Sequence, residues 1–162
     1  MSKQNNENTS HEIEDKLKNT LSGDALKNAL DFVAFLRASG FTLEKNRFFY
    51  MSVPTCLLLW FDHPDFPTGY WGIYDCPICE YDGIPLDESL KEFARANVRI
   101  CKGKCGCLDW PRGGNQTVFG KEFNGACNSV IVFHDPDTHA VEKVKKLMEY
   151  WKLIINENAK TS

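Results

Sequence analysis

Five of the seven cysteines are concentrated between residues 76 and 107. Cys76 and Cys79 form a Cys-x-x-Cys pair, and a Cys-x-x-x-Cys-x-Cys group follows at residues 101–107. Two thiolates separated by two residues bind one tetrahedral ion with little strain, and a second group of cysteines can complete its coordination shell. The spacing therefore predicts a zinc site. Its preferred ligands are Cys76, Cys79, Cys101 and Cys105, with Cys107 as a substitute for either of the last two.

The segment of residues 91–121 is basic, although the whole chain has a formal net charge of −3. It contains seven Lys or Arg residues against Glu92 and Asp109, which gives a net charge of +5. Four thiolates around Zn²⁺ leave a net charge of about −2, and nearby cations would stabilise that charge and lower the pKa values of the thiols. The local charge therefore favours a thiolate–metal site.

Two other interpretations of the cysteines stay open. They could be inert thiols that pack as small apolar side chains, or Cys76 and Cys79 could be the redox pair of a thiol-disulfide oxidoreductase. A redox pair is favoured at a helix N-terminus, whereas the residues that follow here read as a turn with two carboxylates, which oppose thiolate formation. A metal site with an open coordination position would instead indicate a metal-dependent enzyme.

The amino terminus has no apolar segment of the kind that a secretory signal requires. The longest apolar run, residues 56–61, is far shorter than the roughly 20 residues that span a bilayer. We therefore expect a cytoplasmic protein that does not enter the membrane and whose cysteines stay reduced.

Aromatic residues are dense between residues 48 and 74. Tyr and Trp side chains on a concave sheet suit a flat, apolar or cationic ligand, and packing in the core is the alternative. The predicted ligand-binding residues are Tyr50, Trp60, Tyr70 and Trp71, with Trp110 from the cysteine-rich segment. Nucleic acid is a disfavoured partner because the chain as a whole is acidic.

Histidines and carboxylates cluster at residues 134–139, where Asp135 is expected to cap a helix and Pro136 to occupy its first turn. Cys127 and His134 are seven residues apart along a predicted strand, which would place them on opposite faces. We therefore predict no catalytic residue, and a binding or regulatory module rather than an enzyme.

The hydrophobic pattern predicts an α+β fold, with an antiparallel sheet of about four to six strands packed against two or three helices. Helices are expected between Gly23 and Gly40, over residues 87–98, and after Pro136. The strands between them must be antiparallel because their connections are too short for crossover helices.

Residues 23–156 are expected to form a single domain. It would follow a polar, partly disordered segment at residues 1–22, in which residues 11–21 can form a short helix, and precede a disordered tail at residues 157–162, since neither segment has much to bury.

Several short motifs occur together between residues 90 and 137: Leu-Lys-Glu-Phe-Ala at 90–94, Phe-Gly-Lys-Glu-Phe at 119–123, Cys-Asn-Ser at 127–129 and Phe-x-Asp-Pro-Asp at 133–137. With this combination, residues 24–155 resemble a family of small bacterial proteins that have a cysteine-rich middle loop and no assigned activity. The resemblance implies kinship and transfers no catalytic residue. The sequence thus predicts a zinc-stabilised module that binds a small molecule or a protein on an aromatic sheet face.

Overall fold

A seven-stranded antiparallel sheet organises the described part of the chain. The computed structural model describes residues 3–44, 47–50, 53–61, 68–75, 85–101 and 114–161. The helices are α1 (Lys3–Thr20), α2 (Gly23–Ala38), α3 (Glu88–Ala96) and α4 (Thr138–Thr161). The strands are β1 (Phe41–Glu44), β2 (Arg47–Tyr50), β3 (Val53–Phe61), β4 (Trp71–Asp75), β5 (Val98–Ile100), β6 (Gly114–Val118) and β7 (Lys121–His134).

The strand order is β1-β2-β3-β4-β7-β5, and β6 pairs with β7. Strands β1 to β4 form a meander, as their short connections require. The predicted α+β class with an antiparallel sheet is confirmed. The described residues contain one strand and one helix more than the upper expectation: β5 is not predicted by the sequence, and α1 is longer than the short helix that residues 11–21 can form.

The core lies between one face of the sheet and the helices. Strands alternate their side chains, so Leu59 of β3, Ile73 of β4 and Phe133 of β7 point to the same side and are buried. An apolar stripe of α4 is buried against them: Val141, Val144, Leu147, Met148, Trp151 and Ile155. Each fully buried aliphatic or aromatic side chain stabilises the fold by roughly 1.5–3 kcal/mol.

A buried polar contact fixes the start of α4 against α2. The Asn28 side chain is 6% exposed. Its amide nitrogen donates to the Pro136 carbonyl over 3.3 Å, and its oxygen accepts from the Thr138 hydroxyl over 2.9 Å. Both polar atoms are thereby satisfied, which a buried amide requires. This contact sets where the chain passes from β7 into α4.

The structure differs from the expectation at both ends of the chain. Residues 1–22 were expected to be polar and partly disordered, but α1 begins at Lys3, and its Ile13 and Leu17 are buried in the core. Residues 157–162 were expected to be a disordered tail, but α4 continues to Thr161 because no glycine or proline interrupts it.

The cap of α4 also differs by two residues. The Asp137 carboxylate, rather than Asp135, accepts the backbone N–H of Ala140 over 2.8 Å. Asp135 has a left-handed backbone, with φ of 42°, and its N–H donates to the Trp71 carbonyl. None of the helices in the described segments combines the length and apolar character needed to cross a bilayer.

Candidate functional site

Three residues on neighbouring strands stand in one row across the sheet. Trp60 of β3 pairs with Gly72 of β4, and Gly72 pairs with His134 of β7. The row lies on the opposite face from the core, because the residues next to it, such as Ile73 and Phe133, point into the core. Tyr74 shares this face by alternation. We call Trp60, Tyr70, Tyr74 and His134 the aromatic face.

Gly72 provides the space at the centre of the aromatic face. A Cβ atom at this position would lie 3.2 Å from the Tyr70 hydroxyl, 3.2 Å from the Phe133 carbonyl oxygen and 3.5 Å from the Tyr74 ring. The first two distances are shorter than ordinary van der Waals contact. The missing side chain therefore lets the two tyrosines approach His134.

The four side chains of the aromatic face contact one another. The Tyr70 hydroxyl makes a short hydrogen bond with Nδ1 of His134, and the two rings are 5.8 Å apart. The Tyr74 ring meets His134 edge-on at 6.2 Å, and it lies 4.8 Å from the Trp60 ring. These separations are those of favourable aromatic pairs. The face is thus one connected cluster of rings.

Arg99 brings a positive charge to this cluster. Its guanidinium carbon lies 5.9 Å from the centre of the Tyr74 ring, which is within the range of a cation–π contact. Arg99 belongs to β5, which is separated from β4 by β7, so its side chain reaches across β7. The residues of the site therefore come from four strands or from the ends of these strands.

Desolvation shifts the pKa of each titratable group of the face in the direction that favours its neutral form. Desolvation raises the pKa of Tyr70 above its ordinary range, and the neighbouring Tyr74 raises it further. Desolvation likewise raises the pKa of Tyr74, against the opposing effect of Arg99. Desolvation lowers the pKa of His134, and the positive charge of Arg99 lowers it further. At neutral pH the face presents two phenols and a neutral imidazole.

The structure brings together two of the five predicted ligand-binding residues. Trp60 and Tyr70 lie on the aromatic face, and both are partly exposed. Trp71 points the other way and is fully buried in the core. The side chain of Tyr50 and the whole of Trp110 lie outside the described residues.

Four contributors to the site are not among the predicted ligand-binding residues: Gly72, Tyr74, Arg99 and His134. Alternation along residues 70–74 would have placed Tyr70, Gly72 and Tyr74 on one face. The strand order that adds Arg99 and His134 has no local signal in the sequence.

Of the predicted zinc ligands, Cys101 alone lies within the described residues. It directly follows β5, and its backbone N–H donates to the Gly125 carbonyl of β7 over 2.8 Å. Cys76, Cys79, Cys105 and Cys107 lie outside the described residues. Within the described segments, no three His, Cys, Asp or Glu residues form a group suited to a metal ion.

Cys127 was set aside in the sequence reasoning because regular alternation would separate it from His134. Strand β7 is irregular there: Val98 pairs with Ile131 and Ile100 with Ala126, so two steps along β5 match five along β7. Cys127 is buried, and it contributes to the raised pKa of Tyr74, the ring that His134 also meets. The irregular register brings both residues near Tyr74.

In structural terms, the described part of the chain defines an α+β protein whose antiparallel sheet has a helix-covered core on one face and a polar aromatic cluster on the other. No protein-family model matches the chain, and neither a curated protein nor a solved structure matches it at a significant level. The resemblance to small bacterial proteins with a cysteine-rich middle loop therefore stays a prediction.

Proposed function

We propose that this protein is a small binding module whose aromatic face takes a planar small molecule. The observation that carries the proposal is the arrangement of Trp60, Tyr70, Tyr74 and His134 around the side-chain-free Gly72. The cluster lies on the sheet face that the core does not use. Trp60 and Tyr70 keep part of their surface exposed on this face, which favours a role in recognition.

The members of the face would contribute in different ways. Trp60 and Tyr70 are partly exposed and offer ring surface, whereas Tyr74 is 3% exposed and supports them from beneath. An aromatic pair contributes about 0.5–1.5 kcal/mol beyond the apolar area it buries. Tyr70 is held in place by His134, so little conformational freedom would be lost on binding.

We further propose that the cysteines hold a structural zinc ion in the reducing cytoplasm. The support is their spacing and the basic charge around them. The position of Cys101 adds to this support, since its hydrogen bond to β7 anchors one end of the cysteine-rich segment to the strand that carries His134. Zinc would act on binding by fixing that segment.

The test of the binding module uses indole as a neutral planar probe, followed by NMR of the aromatic side chains. We expect indole to shift the resonances of Trp60 and Tyr70 selectively. Replacing either by leucine (Trp60→Leu or Tyr70→Leu) should weaken binding about tenfold, which corresponds to about 1.4 kcal/mol of lost stacking.

Tyr150→Leu is the matched control, because Tyr150 is a partly buried aromatic residue packed against the helix-side core. It should leave indole binding unchanged. Equal binding by wild type and both face variants, or shifts elsewhere in the molecule, would refute the proposed function.

A further inference from the structure

We propose that the ligand of the aromatic face carries an anionic group, a carboxylate or a phosphate ester, that is bound by Arg99. This inference rests on the proposed function and names the chemical class of the ligand. It stands on the place of Arg99 in the cluster and on the absence of an acidic partner for it among the described residues.

Arg99 differs from the other arginines whose side chains the structure describes. Arg37 forms a salt bridge with Glu14, and Arg95 forms salt bridges with Glu88 and Glu92 at 2.5 and 2.7 Å. Within the described segments, no salt bridge joins Arg99 to a carboxylate, and its contact is with the Tyr74 ring. A half-buried guanidinium without a counter-charge favours binding of an anion.

The electrostatic influence of Arg99 extends over the whole aromatic face. Its positive charge acts to lower the pKa values of Tyr70, Tyr74 and His134. For the two tyrosines, desolvation has the larger effect and raises the pKa. Among the described residues, Asp135 is an acidic residue whose charge acts on Tyr70.

The geometry suits a ligand with a flat part and an acidic end. A guanidinium can offer two parallel N–H bonds to a carboxylate or phosphate, which a point-like ammonium cannot match. The flat part would lie towards Trp60 and Tyr70, with the acidic end towards β5. Neutral His134 would add no repulsion to an anion.

The test compares charged probes with neutral partners of the same shape. Indole-3-acetate is paired with indole-3-acetamide, and phenyl phosphate with phenol, so that the two pairs distinguish a carboxylate from a phosphate ester. We expect at least one anion to bind at least about tenfold more tightly than its neutral partner, as a charge-assisted bidentate contact should allow.

Variants of Arg99 test whether the preference for anionic probes depends on this residue. In Arg99→Gln the charged and neutral probes should bind equally, with the affinity of the neutral probe unchanged. In Arg99→Lys part of the preference should remain. Lys121→Gln is the control, since it removes a cation that lies 5.5 Å from the centre of the Phe123 ring, outside the aromatic face. Thermal melting of each variant verifies that it folds.

The outcomes separate this inference from the proposed function. Equal binding of both members of both pairs to wild type, or a preference for anions that survives in Arg99→Gln, overturns the role of Arg99 and leaves the aromatic face as a binding site. Failure of all four probes and of indole to bind at the face overturns the proposed function and this inference together.

Discussion

At the scale of single residues, the Tyr70–His134 hydrogen bond is explained by the neutrality of both partners. Burial raises the pKa of the phenol and lowers the pKa of the imidazole, so each prefers its uncharged form. With both partners neutral, the hydrogen bond joins the Tyr70 hydroxyl to Nδ1 of His134, and the tautomer of the imidazole decides which of the two donates.

Acid should weaken the fold through His134. Its pKa is lowered from the ordinary value of 6.5 in the folded protein, so between 6.5 and the lower folded value the unfolded chain binds more protons than the folded one. The stabilising contribution is therefore complete above pH 6.5 and is lost as the pH falls through the folded pKa. The melting temperature of wild type should fall more steeply below pH 6.5 than that of His134→Gln.

His139→Gln is the control for this prediction, because His139 is an exposed histidine in the first turn of α4. Its pH profile should follow wild type. An NMR titration that places the pKa of His134 at or above 6.5 would contradict the prediction directly.

The sequence predicted an aromatic ligand face, but it did not predict that residues of this face lie in one row across the sheet. Residue types predicted an aromatic ligand face, and two of the predicted residues, Trp60 and Tyr70, do meet on it. Trp71 was grouped with them although it is adjacent to Tyr70 and must point to the opposite face. Arg99 could not be found, because its approach to Tyr74 depends on an irregular register between β5 and β7.

At the scale of elements, α1 departs most from what its composition suggests. The helix is polar, yet Ile13, Leu17 and Leu21 recur every four residues and are all buried. Such spacing places them on one narrow stripe, which is enough to attach a helix to a core. A salt bridge between Glu14 of α1 and Arg37 of α2 supports the same contact. The average composition of a segment does not show that three of its apolar residues lie on one face.

Leu17→Ala tests whether α1 is part of the core. Leu17 is fully buried, so truncation should lower the free energy of unfolding by about 2–5 kcal/mol through lost burial and the cavity left behind. Asn19→Ala is the control in the same helix, because Asn19 is exposed, and it should change stability by less than about 0.5 kcal/mol. Chemical denaturation measures both. A loss below about 1 kcal/mol for Leu17→Ala would mean that α1 does not contribute its apolar stripe to the core.

At the scale of the whole molecule, β7 connects the core, the aromatic face and the cysteine-rich segment. It pairs with β4, β5 and β6, and it supplies Phe133 to the core and His134 to the face. Its Ala126 pairs with both Ile100 and Gly114. The two ends of residues 101–114 are thus attached to the same place on β7.

The class of fold was predictable because short connections force antiparallel pairing. The central role of β7 was not predictable, because it depends on pairing between strands that are far apart in sequence.

Removal of zinc should loosen residues 101–114 first and destabilise the protein as a whole. A metal that binds the folded state alone, present at about 100 times its dissociation constant, stabilises that state by about 2.7 kcal/mol. For a chain of this size, that corresponds to a fall in melting temperature of about 5–10 °C after chelation. Elemental analysis of protein purified under reducing conditions should give one zinc ion per chain, and hydrogen exchange should rise earliest in residues 101–114.

Two cysteine variants make the zinc prediction specific. The double variant Cys101→Ser/Cys107→Ser should lose the metal, because it removes one of the four preferred ligands together with its substitute. Cys127→Ala should retain one zinc ion per chain, since this buried cysteine belongs to β7 and not to the predicted ligand set. Any loss of stability in Cys127→Ala would then come from packing, and it would persist after chelation. Protein without zinc, a melting temperature unchanged by chelation, or metal lost from Cys127→Ala would each contradict the predicted set of ligands.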